Sequence, residues 1–533
     1  MRLFKSALTI SFFISLSRIS GFIRDILIAK YLGTGMLSDV FFAVFKLPNF
    51  FRRVFAEGAF NSAFIPLFVE KLANEKNPGE KNPREKNPRE KNPGEKNLGE
   101  NNSEDAKNFV RNILSFLLFA LLILVIVFQI FMPFITKAMF FGFYSDPEKF
   151  DLLVTLSRIT IFYLLFISVV SLFSGVLNSI GKFAAPSSAP IIANITLIAS
   201  LFILAPFVPN LAYALSWGVF VSGILQTLWL GYFLFRAKML VYPKFPKFNI
   251  DIKHFFKKLG PGIIGANVMQ INLLFNTMIA SFISGAISYI YYADRINQLP
   301  LAMIGIAINI ALLPTLSKAI KSNSLSNAIR LQNVALEASL ILIIPAAIAL
   351  ICLAHPIIEV LFQRGAFLPK DTLMVSKALI FYSFGLPAFV MAKVLEPSFF
   401  ARGDTKTPMK IAIFCVLFNI VLTLIFFKPF GYLGIILAVV IASYLNVALM
   451  IISLTKRKHF IFESDFLKKL FQIFIPAALM GLMLFFLNKH LLTTSPMINL
   501  ILNILAGLMA YLILSYFSGA LNILKAIKKP NAT

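Results

Sequence analysis

The sequence predicts an all-α membrane protein of about fourteen transmembrane helices, arranged as two six-helix lobes plus two C-terminal helices. Three observations carry the membrane class and the span count, and two short internal matches suggest the lobes. The 533 residues are 58% hydrophobic, with 58 phenylalanines and 14% charged residues, more apolar surface than one soluble core can hide. Apolar runs long enough to span a bilayer recur along the whole chain. The segments between them are alternately basic and close to charge-balanced, the pattern that fixes orientation in a membrane.

The opening MRLFKSALTISFF places Arg2 and Lys5 before an apolar run, as a signal peptide does. No A-x-A cleavage site follows and the run continues through Arg18, so an uncleaved first helix is expected. Gly33 to Gly35 then turn the chain into a second span.

These two spans carry charges at depths where lipid tolerates few. Asp39, Lys46 and Arg53 lie seven apart on one helical face, with Asn49 and Glu57 near the same side. From Asp39 to Glu57 is roughly 27 Å of helix, nearly the thickness of the hydrocarbon layer. Ionised groups facing lipid cost several kcal/mol each, so the stripe is expected to face protein or a water-filled cavity. On the first helix Arg18 and Asp25 are also seven apart, whereas Arg24 points elsewhere and needs a different partner.

Residues 71–108 follow, with tandem E-K-N-P-G/R copies between Glu75 and Gly99, and read as a disordered, exposed linker. Further spans are expected at about 109–135, 152–180, 187–207 and 211–235, completing an N-terminal lobe over 1–236. A basic cytoplasmic loop, 237–258, leads to spans at about 259–283, 287–317, 329–353, 373–401, 408–428 and 431–454, a C-terminal lobe over 259–455. Residues 456–533 supply spans at 467–488 and 497–524 and a basic tail.

With a cytoplasmic N-terminus, the loops after even-numbered spans lie inside and hold most of the lysines and arginines. The net charge of +26 is thereby assigned to orientation and to contact with anionic lipids. It is dispersed over loops with no recognisable nucleic-acid module, so nucleic acid is not an expected partner.

Two short matches suggest duplication. SAFIPLFVEKL at 62–72 resembles IALLPTLSKAI at 310–320, and GKFAAP at 181–186 spaces glycine and proline as GDTKTP does at 403–408. An even number of spans per repeat makes the halves parallel.

In the second half, SYIYYADRINQLP (288–300) places Asp294 and Arg295 about 10–12 Å into the eighth span. Arg18, Arg24, Arg52 and Arg295 are therefore the candidate ligand-binding cations. Several guanidiniums in a cavity of reduced dielectric suit a phosphate or pyrophosphate, because the planar fork donates charge-assisted bonds to paired oxygens. The competing reading is internal pairing: Arg53 with Glu57, Arg18 with Asp25, Lys46 with Asp39. Asp25, Asp39, Lys46, Asn49, Arg53 and Glu57 are accordingly taken as gating groups or structural ion pairs.

Catalytic signals are missing. There is no H-x-x-x-H pair, glycine-rich phosphate loop or Ser/His/Asp grouping, and four histidines with Cys352 and Cys415 in apolar runs suggest neither a metal site nor a disulfide framework. No enzyme activity, cofactor or metal is expected.

SRISGFIRD, SDVFFAVFKLPNFFRRVFAEGAF, YYADR and RGDTKTP together resemble the MurJ/MviN family of bacterial lipid II flippases, within the multidrug/oligosaccharidyl-lipid/polysaccharide exporter superfamily. The resemblance implies two lobes around a cationic cavity, with the last two spans lining a groove for a polyprenyl tail. It places the cavity arginines on Arg18, Arg24, Arg52 and Arg295 and the family's acids on Asp25, Asp39 and Glu57. It implies as substrate undecaprenyl-pyrophosphate carrying the peptidoglycan disaccharide-pentapeptide, moved across the bacterial inner membrane by alternating access. Both termini are then cytoplasmic, the functional unit is a monomer, and cell-wall synthesis proteins are potential partners. Some members support a sodium site with an acid in the seventh span, but residues 259–285 contain no Asp or Glu. Flipping of another polyprenyl-pyrophosphate-linked oligosaccharide, or a non-transporting scaffold for cell-wall synthesis, are the alternatives.

Overall fold

The computed structural model describes residues 2–55, 59–76, 98–246, 248–249, 252–255, 257, 268–322, 324–490 and 495–522. Among them the structure is helical with no strand. In chain order the helices are α1 (Arg2–Leu32), α2 (Met36–Phe55), α3 (Ala59–Lys76), α4 (Leu98–Met139), α5 (Pro147–Thr160), α6 (Tyr163–Ser179), α7 (Ala184–Ile203), α8 (Leu211–Arg236) and α9 (Val268–Ala280). There follow α10 (Ala286–Pro300), α11 (Ala307–Lys321), α12 (Leu325–Cys352), α13 (Ala354–Phe362), α14 (Pro369–Phe400), α15 (Lys406–Phe430), α16 (Tyr432–Lys456), α17 (Phe466–His490) and α18 (Pro496–Ser518).

Helix is the only solution open to such a chain in lipid, since each backbone group must find its partner within its own segment. Ten helical segments among the described residues are long and apolar enough to cross a membrane. The other four expected spans fall on helices that are charged, short or interrupted. They are α1, α2 with α3, α9, and α10 with α11. A π-helical stretch, Leu301–Ile306, separates the last two where Pro300 withholds an N–H from the ladder. The total is compatible with fourteen.

Helix ends follow local chemistry. The Asp146 carboxylate accepts from Lys149 N and Pro147 stands at the first position of α5; the Asn210 side chain accepts from Ala212 N and Tyr213 N at the start of α8.

The linker is narrower than expected from sequence. α3 continues to Lys76 and α4 begins at Leu98, so both flanks of the 71–108 segment are helical. The reason is tertiary: Ala106, Phe109 and Val110 are buried, and Phe109 stacks on Phe64 of α3 with ring centroids 5.7 Å apart. Residues 77–97, which hold most of the repeats, lie outside the described residues, as do Glu57, the start of the seventh span and the final basic tail.

The chain divides into two compact units, Met1–Leu27 with Val40–Ile271, and Ile28–Asp39 with Asn272–Thr533. The division falls inside α1 and α2, whose connecting turn belongs to the second unit. The first unit has a core around Leu47, Leu121, Phe128 and Leu164. In the second, α17 and α18 join the core of α12 and α14 through Ile473, Met480, Leu484 and Tyr511, whose hydroxyl donates to Ile341 O at 2.7 Å.

Candidate functional site

In the first unit the site is built on α1, α2 and α7. Arg24 is buried. It donates from Nε and Nη2 to Asp25 Oδ1 (3.0 and 2.7 Å) and from Nη1 to Asn194 Oδ1 on α7 (2.9 Å), with its guanidinium carbon 5.9 Å from the centre of the Phe45 ring. Asn194 in turn donates from Nδ2 to Ser17 O (3.0 Å) and Ser20 Oγ (2.9 Å), fastening α7 to the turn of α1 that precedes the arginine. The cation is thus held in a fixed plane beside its counter-ion, the arrangement that makes a guanidinium tolerable inside a membrane.

Arg18, two turns earlier, is exposed. It lines a cavity of about 660 Å³ with Ser17, Ser174, Asn178, Ser187 and Pro190, and it forms no ion pair among the described residues. The seven-residue spacing suggested Asp25 as its partner, but Asp25 is taken by the adjacent Arg24.

On α2, Arg52 Nε donates to Asn49 Oδ1 (3.2 Å), and Asn49 Nδ2 donates to Phe45 O (2.8 Å). Asn49 therefore aims Arg52 while bonding a backbone carbonyl in the turn that precedes Pro48. Lys46 is half-buried. The side chain of Arg53 and the whole of Glu57 lie outside the described residues.

The second unit holds Asp39 and Arg295. Asp39 is fully buried and accepts from Gly285 N (2.6 Å), Ser288 N (3.0 Å) and Ser288 Oγ (2.7 Å), so it caps the N-terminus of α10 from a distant part of the chain. Ala366 N donates to Lys30 O (2.8 Å) and, one turn along α10 from Ser288, Tyr292 Oη donates to Gly33 O (3.3 Å), seating the α1–α2 turn on residues of α10 and the 363–368 turn. Arg295 and Asp294 are half-buried on α10. Gln298, which the spacing allowed to share a face with Arg295, donates to Asp294.

Sequence reasoning missed two polar centres. Asn194 gave a usable signal, an amide inside the apolar run APIIANITLI that must find partners across helices. The other is Lys469 on α17, whose Nζ meets Glu337 on α12 (3.0 Å), Glu463 (2.8 Å) and Asp465 (3.1 Å). These carboxylates form the one cluster of metal-ligating side chains among the described residues, and the single ammonium bonded to all three offsets one of their charges.

A many-spanned helical protein with ionised, mutually oriented groups inside its first two spans is of the membrane-transporter class. Its fold is shared with an inward-facing multidrug resistance MATE family transporter of the MOP superfamily (TM-score 0.61, 16% identity, 84% of this chain and 94% of that one). It is nearer that of a lipid II flippase MurJ in an inward closed conformation, with TM-score 0.78 and 30% identity over 96% of this chain and 98% of the other. Curated relatives include a probable lipid II flippase MurJ of Rhizobium tropici, 36% identical over 95% of this chain and 92% of that protein. Another, from Rickettsia prowazekii (strain Madrid E), is 34% identical over the full length of both. The family described as lipid II flippase MurJ matches residues 28–506, and the chain belongs to that family.

Proposed function

We propose that this chain moves lipid II, the polyprenyl-pyrophosphate-linked peptidoglycan precursor, from the inner to the outer leaflet of the bacterial inner membrane. The observation that carries the reading is the family match over residues 28–506. Both termini are cytoplasmic in this reading, which the basic loops support.

The arginines supply the recognition. Arg18, beside open space and without a counter-ion among the described residues, is the first contact for a pyrophosphate; Arg24, held in plane by Asp25 and Asn194, and Arg52, aimed by Asn49, offer donors whose geometry is set before the ligand arrives. Arg295 is the candidate cation of the second unit. Asp39 acts as a gating group by holding the N-terminus of α10 in one arrangement. Substrate moves the conformational equilibrium only as far as its affinities for the two conformations differ, so the cationic groups must meet the pyrophosphate better in one than the other. The acid-free stretch 259–285 supplies no carboxylate for ion coupling. The task is translocation, with no covalent bond made or broken.

The test is to deplete a host's own flippase, express this chain or its Arg18→Ala or Arg24→Ala variant at matched membrane abundance, and measure lipid II reaching the outer leaflet. Restoration by the native chain with loss in both variants is expected. A folded, membrane-inserted native chain that restores nothing overturns the assignment, and restoration by the variants removes the arginines from the mechanism.

A further inference from the structure

A second cavity in the first unit, of about 460 Å³, is separate in its chemistry from the one that holds Arg18, although the two share Phe183 as a wall. It is lined by Thr9 of α1, by Gly181, Lys182 and Phe183 of the α6–α7 turn, and by Phe233 and Arg236 at the end of α8. Lys182 and Arg236 are both exposed, and neither forms an ion pair or side-chain hydrogen bond among the described residues. Among the described residues no carboxylate lines the cavity. Two cations from different elements thus share a pocket whose other walls are two aromatic rings and the small residues Gly181, Ala184 and Ala185 with Thr9, a combination that suits an anion attached to an apolar chain.

The surroundings fix the level of this pocket in the membrane. Leu225, Leu228, Tyr232 and Phe235 form one exposed stripe along α8, at 42%, 63%, 52% and 67% exposure, the spacing of a lipid-facing helical surface. Trp229 and Tyr232 stand in the last two turns before Arg236, where amphipathic rings mark the boundary between acyl chains and headgroups. Tyr242, Phe245 and Phe248 beyond the helix are exposed as well. Arg236 therefore lies at headgroup height, with hydrocarbon on one side and the pocket on the other.

We infer that this pocket binds the phosphodiester of an anionic membrane phospholipid, with Lys182 and Arg236 on the phosphate and Phe233 and the α8 stripe along its acyl chains. The ordinary roles of the two cations are solvation for Lys182 and interaction with the negative end of the helix dipole for Arg236. Those roles hold no lipid in place against Phe233, and this one does.

The protein contains its own reporter. Of the two tryptophans, Trp217 and Trp229, the latter packs edge-on against the pocket residue Phe233, with ring centroids 5.0 Å apart. In a Trp217→Phe background, full-length protein is reconstituted in phosphatidylcholine vesicles, and quenching of Trp229 by brominated phosphatidylglycerol is compared with quenching by brominated phosphatidylcholine. The expected result is a preference for phosphatidylglycerol on the order of fivefold for each cation. It should fall by that factor for each cation removed in the Lys182→Ala/Arg236→Ala double variant, to the weaker preference set by the remaining basic loops, and survive in Lys182→Arg/Arg236→Lys. A thermal midpoint matching the parent confirms that the alanine variant is folded. Equal quenching by both lipids in the parent, or an undiminished preference in the folded alanine variant, overturns the proposal. Excess inorganic phosphate should leave the preference intact; its disappearance would assign the pocket to free phosphate and overturn the lipid site. The readout involves no transport, so its failure and that of the lipid II reading are independent.

Discussion

Asn194 divides one amide between two jobs, its Nδ2 fixing Ser17 and Ser20 of α1 and its Oδ1 fixing Arg24. Replacing it with leucine keeps the volume and removes all three bonds. Interhelical hydrogen bonds inside a membrane are each worth about 0.6 kcal/mol, so Asn194→Leu should lower stability by roughly 1–2 kcal/mol. Because Arg24 keeps Asp25 but loses its second anchor, the loss of lipid II transport should exceed that in a variant of equal stability altered elsewhere. Thermal unfolding alongside the transport assay checks both; unchanged transport would leave Asn194 a structural tie. The residue types at the site were readable from sequence, but their partners were not. A seven-residue spacing speaks only of neighbours on the same helix, so it could not show that the Asp39 carboxylate caps a helix that begins 247 positions later, at Ala286. Likewise Arg24 takes Asp25, next to it in sequence, because the guanidinium can fold back along the helix while Asn194 meets it from α7.

Spans are legible because hydropathy is a property of each segment alone; where a helix breaks, or continues past its apolar run, depends on neighbours. Phe109 carries α4 outside its apolar stretch by packing on α3. The hint of duplication in GKFAAP and GDTKTP has a structural counterpart. Gly181 and Gly403 both adopt left-handed backbone, and the following residues, Lys182 and Asp404, donate to carbonyls five positions earlier, Leu177 and Phe399. The same closure recurs at the ends of α8 and α16, where Lys238 and Lys458 have φ of 57° and 56° and Met239 and His459 donate to Leu234 and Leu454. Both pairs stand at corresponding places in the span order, and closures of this kind are among the commonest helix ends. The loop after α14 adds a titratable tie: Asp404 accepts from Thr407 N (2.9 Å) and pairs with Arg457 beyond α16. Thr407's hydrogen bonds, helped by Arg457, hold its carboxyl down to about 2, against an ordinary 3.8. A depressed carboxylate stabilises the fold above its ordinary value and ceases to as pH falls through the depressed one. Asp404→Asn should therefore unfold at a lower temperature than the parent at pH 7, with the gap closing between pH 4 and about pH 2. A gap that is constant with pH would show that the charge contributes nothing.

At the scale of the whole chain, α1 and α2 begin and end in one compact unit while the turn between them, Ile28–Asp39, is counted with the other. That turn is seated by close backbone approach. Gly33 and Gly365 both have φ of +62°, and a Cβ on either would lie 2.3 Å from a backbone oxygen of the opposite turn, Ala366 O and Lys30 O respectively. The two glycines thus permit a reciprocal contact that no side chain could share, reinforced by the bonds of Asp39 and Tyr292 nearby. Composition and loop charge could announce the membrane, but not this seating, because a glycine in a turn reads the same whether it faces water or another backbone. Alanine at position 33 must strain its own left-handed backbone and push Ala366 away, together on the order of 3 kcal/mol. Gly33→Ala should therefore lower the thermal midpoint and reduce transport, while Gly35→Ala, whose added Cβ would meet nothing within 4 Å, should leave both near the parent's. If the two variants behave alike, close approach at Gly33 is not what holds the turn; if Gly33→Ala loses transport at unchanged stability, the seating serves the conformational cycle rather than the fold.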